Sequence, residues 1–151
     1  MMRNAIALLL LATLPPALAD AQTSWQQTSG PYPGYVESLA INASGHVFAG
    51  TGTGVFRSTD SGDNWTPTST GLTRLEITSL AIDPSGRVFA GTDDGGVFRS
   101  ADNGDTWAPV GLADTWVISL AIDSRARVFA GTQSDGVFRS TDGGGSWTPL
   151  G

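Results

Sequence analysis

The stretch Gly96-Val-Phe-Arg-Ser-Ala-Asp-Asn-Gly-Asp-Thr-Trp107 decides the fold of this chain, because close copies of it occur at two other places. The copies run from Gly54 to Trp65 and from Gly136 to Trp147, so the three tryptophans lie 42 and 40 residues apart. Ser-Leu-Ala-Ile and then Val-Phe-Ala-Gly-Thr stand upstream of each copy. Units of about forty residues that repeat this closely must stack on one another to bury a core.

Each copy contains an alternating run, a turn and the start of a further strand. Val-Phe-Arg-Ser alternates, and Trp-Thr-Pro or Trp-Ala-Pro opens the next strand, so the segment between them is predicted to be a hairpin connection. The Asp side chain can accept hydrogen bonds from backbone N–H groups a few residues on, and the Gly two positions later supplies positive φ at little cost. The Ser before the Asp adds a hydroxyl bond, and we expect the Trp ring to pack beneath the turn.

The spacing Ser-x-Asp-x-Gly-x-x-Trp resembles the Asp-box, or bacterial neuraminidase repeat. The residues that carry the resemblance are Ser58, Asp60, Gly62 and Trp65, then Ser100, Asp102, Gly104 and Trp107, and finally Ser140, Asp142, Gly144 and Trp147. The resemblance implies a β-propeller like those of sialidases, sortilins and xyloglucanases, with these residues in structural turns at the periphery, away from the ligand site. Proteins of this family have many functions, so belonging to the family does not indicate which function this chain has.

The pattern between the tryptophans predicts an all-β chain. Four short strands per unit of this length are typical of a propeller blade. We predict three complete four-stranded blades, approximately at residues 35–70, 75–111 and 115–151, plus one extra outer strand at Trp25. The strands are apolar on both faces, as expected for sheets sandwiched between neighbours. Small residues recur in the first two strands and Phe and Trp in the outer two, which fits a taper toward a narrow axis. A β-helix, which needs no such gradient, is the alternative fold.

The N-terminal residues 1–19 have the features of a secretory signal peptide. A short cationic start precedes the apolar run Ala5–Leu14, and Ala17-Leu-Ala19 offers small residues for cleavage after Ala19. The apolar run is too short to span a membrane. We therefore expect a secreted or periplasmic protein, in which residues 20–24 form a linker and residues 25–151 a partial propeller.

The composition limits the partners that this chain can have. Without residues 1–19, the chain keeps 7 of its basic residues, all Arg, against 14 acidic ones, for a net charge of −7. This acidity disfavours nucleic acid and anionic membranes as partners, and we expect no membrane insertion. The chain has no Cys, so the core and the backbone ladders must stabilise it without disulfides.

Candidate binding residues are those that break the repeat. One set enters the innermost strand of each blade, four positions before the Leu of Ser-Leu-Ala-Ile, and the other lies between the second and third strands. In propellers both sets of loops emerge on one face, where aromatic rings stack on a ligand and polar groups orient it. The candidates for binding a glycan or a protein are Tyr35, Glu76, Asp93, Asp94, Trp116, Gln133 and Asp135. The alternative is that these variable loop residues are merely solvated.

No catalytic constellation or metal site is expected. Glycosidases need two carboxyl groups across a cleft, or a Tyr nucleophile with a Glu partner and an Arg cluster in sialidases. Arg57, Arg99 and Arg139 occupy one repeat position and are therefore expected to be structural. His46 has no second His or Cys for a metal, and no cofactor is expected. The sequence thus predicts a binding or scaffold module; the alternatives are a part of a sialidase- or xyloglucanase-type glycoside hydrolase and a purely structural module.

The number of blades predicts an open stack. Known propellers use roughly four to eight blades, and this chain has three complete ones. An open stack of sheets that are apolar on both sides would expose two large apolar faces, which soluble monomers seldom do. The sequence therefore favours a piece of a longer propeller with further C-terminal blades. The alternative is that identical chains associate head to tail.

Overall fold

Short β-strands make up the regular structure of the described part of this chain. A computed structural model describes residues 27–32 and 34–151; the predicted signal peptide, linker and strand at Trp25 lie outside the described residues. The strands are β1 (Val36–Ile41), β2 (Val47–Thr51), β3 (Gly54–Ser58), β4 (Thr66–Pro67), β5 (Ile77–Ile82), β6 (Val88–Thr92), β7 (Val97–Ser100), β8 (Ala108–Gly111), β9 (Val117–Ile122), β10 (Val128–Thr132), β11 (Val137–Ser140) and β12 (Thr148–Pro149). No helix in this part of the chain has the length and apolar character needed to cross a membrane.

The strands form three four-stranded antiparallel sheets in which spatial order follows chain order. Blade 1 contains β1 to β4, blade 2 contains β5 to β8, and blade 3 contains β9 to β12. The first strand of each blade packs on the first strand of the next, β1 on β5 and β5 on β9. The predicted all-β fold with three complete blades is confirmed, and the described blades form an open stack that is not closed into a ring.

The core lies between the blades, which is why the strands are apolar on both faces. Alternate residues of β6 point to opposite sides: Val88 and Ala90 pack toward blade 1, and Phe89 packs toward blade 3. The buried cluster between blades 1 and 2 contains Phe48, Val55, Ile77, Leu80, Val88, Ala90, Phe98 and Trp107. The cluster between blades 2 and 3 contains Phe89, Val97, Val117, Val128 and Ala130. Burying both faces of a sheet in this way removes the polar side that a solvated sheet would show.

Glycines in the second strands allow the blades to approach closely. A Cβ atom at Gly50 would lie 2.6 Å from Cγ2 of Ile77, and one at Gly91 would lie 2.8 Å from Cγ1 of Val117. Ile77 and Val117 begin the first strand of the following blade and are almost fully buried, at 1% and 0% exposure. Small residues in the second strand therefore make room for a side chain of the next blade.

Each Ser-x-Asp turn is closed by its own side chains. In blade 2, the Ser100 hydroxyl donates to the carboxylate of Asp102 at 2.7 Å and accepts the N–H of Gly104 at 2.8 Å. The Asp102 carboxylate accepts the N–H of Thr106 at 2.9 Å, and Gly104 has a φ of 90°. Corresponding bonds occur in the turns that begin at Ser58 and Ser140. The three Ser are buried, whereas the three Asp are exposed.

The tryptophans after these turns connect neighbouring blades. The indole N–H of Trp107 donates to the carbonyl of Thr68 in blade 1 at 2.8 Å, and that of Trp147 donates to the carbonyl of Val110 in blade 2 at 2.9 Å. The sequence predicts a ring beneath its own turn, but it does not reveal this bond to the preceding blade. The bond forms because the outer strand of one blade ends beside the turn of the next.

The repeated arginines connect each blade to the one that follows it, whereas the tryptophans connect each blade to the one before it. Arg57 in β3 donates to the carbonyl of Asn103 at 2.6 Å and to the carboxylate of Asp105 at 2.7 Å, both in the turn of blade 2. Arg99 in β7 donates to the carbonyl of Gly143 in the turn of blade 3 at 2.7 Å. Each turn in blades 2 and 3 is therefore held from the preceding blade by an arginine.

Replacing the buried hydroxyl of a turn should destabilise the fold. Ser100→Ala leaves the buried N–H of Gly104 without an acceptor, so we expect the free energy of unfolding to fall by about 1–3 kcal/mol. Urea denaturation monitored by tryptophan fluorescence measures this change. Ser124→Ala, at an exposed position, is the control and should leave the midpoint unchanged. Equal midpoints for Ser100→Ala and wild type would contradict the role given to the hydroxyl.

The turn carboxylates should make the fold sensitive to acid. Side-chain hydrogen bonds from Asn64 and Thr106 lower the pKa of Asp60 and of Asp102 from 3.8 to about 2, and a bond from Ser146 lowers the pKa of Asp142. Because the pKa is lower in the folded state, these groups stabilise the fold above pH 3.8 and lose that contribution as the pH falls toward about 2.

Thermal melts across this pH range check the expectation. The melting temperature of the wild type should fall as the pH decreases from about 5, roughly one unit above the ordinary pKa, to about 2, the pKa in the folded state. A variant with Asn at Asp60, Asp102 and Asp142 keeps an acceptor oxygen but cannot titrate there, so its decline should be shallower. A decline as steep as that of the wild type would assign the acid sensitivity to other carboxylates.

Candidate functional site

Two sets of variable loops meet at one end of the inner strands. The N–H of Asp93, in the β6–β7 loop, donates to the carbonyl of Glu76 before β5 at 3.3 Å. In blade 3 the N–H of Gln133 donates to the carbonyl of Trp116 at 3.0 Å. In blades 2 and 3 the second-to-third-strand loop is thus tied to the residue that enters the first strand of its own blade, and the variable positions share one face.

A groove of about 450 Å³ lies on this face and crosses all three blades. Its lining residues are Glu37 and Gly52 of blade 1, Glu76, Ile77, Thr78 and Asp93 of blade 2, and Trp116 and Ile118 of blade 3. The Thr78 hydroxyl donates to the carbonyl of Val117, which joins blades 2 and 3 beside the groove. The volume lies within the range typical of small-molecule sites, about 300–1,000 Å³.

Two carboxyl groups meet in the middle of this groove. A hydrogen bond between the side chains of Glu76 and Asp93 raises the pKa of Glu76, and the negative charge of Asp93 raises it further. A proton shared between the two groups is favoured because two like charges this close repel. The pair can therefore offer both a hydrogen-bond donor and acceptors to a ligand, while Glu37 supplies a third carboxyl group.

One wall of the groove is apolar and partly open to solvent. Trp116 is 45% exposed and Ile118 is 52% exposed, both in or just before β9. An indole face of this kind can stack on an apolar or ring-shaped ligand while nearby polar groups orient it. The groove thus combines an aromatic platform with carboxyl groups.

A family model for the DUF6242 beta propeller domain matches residues 20–151. The chain belongs to this β-propeller family. No curated protein matches the chain. The family assignment agrees with the propeller expected from the repeats. The three four-stranded sheets of the structure support the same fold independently.

Solved structures with similar folds include proteins of different kinds. The extracellular domain assigned to a one component system of B. thetaiotaomicron has a TM-score of 0.70 at 20% identity, with 82% of this chain and 18% of that chain covered. The GH74 xyloglucanase of Xanthomonas campestris has a TM-score of 0.64 at 21% identity, with 76% and 23% covered. YCF48 bound to D1 peptide has a TM-score of 0.60 at 20% identity, with 76% and 39% covered.

These similarities establish the fold alone. The chain spans roughly a fifth to two fifths of the length of these three structures, and the identities are low. A shared propeller does not transfer an activity, because functional sites differ between members of one fold. The function must therefore be argued from the groove.

The structure places three of the seven predicted binding residues in the groove: Glu76, Asp93 and Trp116. The other four lie outside its lining. Tyr35 is 87% exposed before β1, and Asp94 forms a salt bridge with Arg74 at 2.5 Å. Gln133 and Asp135 are exposed in the β10–β11 loop.

Five lining residues are absent from the sequence prediction: Glu37, Gly52, Ile77, Thr78 and Ile118. Three of them, Glu37, Thr78 and Ile118, each stand two positions before the Leu of Ser-Leu-Ala-Ile, so they occupy one repeat position and differ between blades. These residues depart from the repeat as Glu76 and Trp116 do, so the sequence contains this signal. It does not show that both positions line the groove in blades 2 and 3, whereas only the second does in blade 1.

The opposite end of the inner strands has a smaller groove of about 320 Å³. Its carboxylates already have partners: Asp83 pairs with Arg87 and Asp123 with Arg127, each at 2.6 Å. Burial raises the pKa of Asp83, but hydrogen bonds from Ser85 and Arg87 outweigh it and lower the pKa overall. Within residues 27–32 and 34–151, no cluster of three His, Cys, Asp or Glu could hold a metal ion. The first groove is therefore the better candidate site.

Proposed function

We propose that this chain is an exported β-propeller binding module whose groove takes an uncharged glycan. The observation that carries the proposal is the half-exposed indole of Trp116 beside the hydrogen-bonded carboxyl groups of Glu76 and Asp93. A sugar ring offers an apolar face for stacking and hydroxyl groups that both donate and accept. The groove provides a partner for each of these features.

The charge of the groove supports an uncharged ligand over an acidic one. Glu37, Glu76 and Asp93 line it, and no Arg or His belongs to its lining residues. An anionic sugar would meet like charges without a cation to pair with, which costs binding energy. A basic peptide is the second candidate, because the same carboxylates could pair with Lys or Arg. Among proteins of this fold, one is a xyloglucanase and another has been solved with a bound peptide.

We assign binding rather than hydrolysis to the groove. Retaining glycosidases place two carboxyl groups about 5–5.5 Å apart, and inverting ones about 6.5–9.5 Å apart. The hydrogen bond and the negative charge of Asp93 raise the pKa of Glu76, which favours a proton shared between the two groups. A pair that shares one proton does not supply the separate acid and nucleophile, or acid and base, that hydrolysis requires. The alternative is that this chain is part of a larger glycoside hydrolase whose catalytic groups are supplied by other blades.

The turns and the N-terminus complete the proposal. The Ser and Asp hydrogen bonds around Gly62, Gly104 and Gly144 support an Asp-box assignment, because side chains at this spacing close each turn. The features of residues 1–19 support export, with cleavage after Ala19. On this proposal the turns hold the blades together at the rim, and the ligand binds at the far ends of the inner strands.

Removing the indole should abolish most of the binding. Trp116→Ala should weaken the binding of a glycan found on an array by about 2 kcal/mol, or roughly thirtyfold in Kd, as for other aromatic anchors. Isothermal titration calorimetry with that glycan measures the change. Tyr35→Ala is the matched control, because Tyr35 occupies the same repeat position in blade 1 and lies outside the groove lining.

The array itself separates the candidate functions. It carries uncharged glycans, acidic glycans and basic peptides, and the proposal expects a signal for the first class that Trp116→Ala removes. A signal from basic peptides alone would favour the second candidate. Binding that both variants retain would exclude the groove, and a blank array would favour a scaffold role.

A further inference from the structure

The two outer faces of the blade stack leave exposed what the inner junctions bury. On the blade 1 face, Val36 is 43% exposed, whereas its equivalents Ile77 and Val117 are 1% and 0% exposed. Leu39 on this face is 61% exposed, whereas its equivalent Leu80 is 7% exposed. These side chains occupy the positions that meet the preceding blade inside the stack.

The blade 3 face shows the other half of the same junction. Val137 is 42% exposed, whereas its equivalents Val55 and Val97 are fully buried against the next blade. A Cβ at Gly131 would meet only Ser119 of its own blade within 4 Å, whereas Gly50 and Gly91 receive a side chain of the next blade. The blade 3 face therefore has an unfilled space beside Gly131. The blade 1 face has an exposed side chain, Val36, at the position that fills the corresponding space inside the stack.

Two unpartnered polar atoms lie at these two faces. Among the described residues, three buried side-chain nitrogen or oxygen atoms lack a hydrogen-bond partner: Trp65 Nε1 in blade 1, Arg139 Nε in blade 3 and Ser79 Oγ in the first strand of the middle blade. Arg57 and Arg99, the equivalents of Arg139, donate through Nη1 to the turn of the next blade. The equivalents of Trp65 donate to the outer strand of the preceding blade, as Trp107 and Trp147 do.

Each face of this chain carries the partners that the other face lacks. The repeat equivalents of Asn103 and Asp105, which accept Arg57, are Ser61 and Asp63 on the blade 1 face. The repeat equivalents of Thr68 and Val110, which accept the indole N–H groups, are Leu150 on the blade 3 face and Thr28 in the segment before blade 1. Blade 1 can therefore follow blade 3 with the contacts by which blade 2 follows blade 1.

We propose that copies of this chain associate head to tail, the blade 3 face of one copy on the blade 1 face of the next. Arg139 donates to the carbonyl of Ser61 and pairs with Asp63 of the second copy, and the Trp65 indole donates to the carbonyl of Leu150. Val36 fills the space at Gly131. The two surfaces differ, so the contact is heterologous and builds a ring or a filament rather than a symmetric pair.

The segment 27–32 lies on the blade 1 face, where the proposed junction would form. The Ser29 hydroxyl donates to the carbonyl of Asp63, and a Cβ at Gly30 would lie 3.6 Å from Cδ1 of Trp65. This segment occupies the position of an outer strand of a preceding blade: a Cβ at Gly62 would lie 3.3 Å from Cγ2 of Thr28, as one at Gly104 would lie 3.5 Å from Cγ2 of Thr68. It leaves Trp65 Nε1 without an acceptor. The proposed junction therefore requires that Leu150 of the second copy displace this segment and supply the acceptor.

Charge exchange across the junction tests the proposal. In sedimentation velocity over a concentration series, the full chain should associate, and Arg139→Asp and Asp63→Arg should each weaken association about tenfold or more in Kd. Arg139→Asp places two acidic groups against each other, and Asp63→Arg two basic ones. An equimolar mixture of the two variants, and the double variant, should recover association because each junction regains an opposite pair.

Controls separate this contact from unfolding and from general charge effects. Arg125→Asp changes the charge equally at an exposed arginine in the β9–β10 turn and should associate as the wild type does. Circular dichroism melts confirm that each variant is folded. A wild type that stays monomeric throughout the series would overturn the proposal. Association that neither single variant weakens, or that the mixture fails to recover, would overturn the pairing of these two faces.

Discussion

The fold depends on the close approach of a first-strand side chain to a glycine of the preceding blade. Ile77 lies against Gly50 and Val117 against Gly91, at distances that a Cβ atom would not allow. This contact brings two sheets together near the axis and buries the large side chains further out, such as Phe89 and Phe98. Hydrophobic burial is roughly proportional to the area removed from water, so each blade is stabilised mainly by its neighbours.

Hydrogen bonds at the outer edge of the stack orient neighbouring blades, which hydrophobic packing alone does not do. Arg57 and Arg99 donate forward to the next turn, while Trp107 and Trp147 donate backward to the preceding outer strand. Hydrogen bonds depend on geometry, so these pairs set how far one blade rotates relative to another. The Ser and Asp side chains keep the turn carbonyl groups in place to accept them. Turn chemistry within one blade thus determines the register between two blades.

Most positions that line the groove differ from those that connect the blades. The Arg, Ser and Trp that connect blades recur in all three units, whereas the groove draws on positions where the units differ, such as Glu76 and Trp116. Ile77, which packs against Gly50, belongs to both sets. A repeat protein can vary these positions at little structural cost because they lie at strand entrances and in loops. The Glu76–Asp93 pair illustrates this freedom, since the pKa of Glu76 is raised mainly by Asp93, which is itself a variable residue.

The sequence by itself determined the blades, because their signals are local: the tryptophan period, the Asp-Gly turns and the alternation of Val-Phe-Arg-Ser all act within a few residues. It also identified Glu76, Asp93 and Trp116 by their departure from the repeat. Only the tertiary structure decided that Glu37, Thr78 and Ile118 complete the groove while Tyr35, Asp94, Gln133 and Asp135 lie outside it. The physical reason is that strand twist and the rotation between blades set which variable side chains face a common space, and neither can be obtained from spacing along the chain.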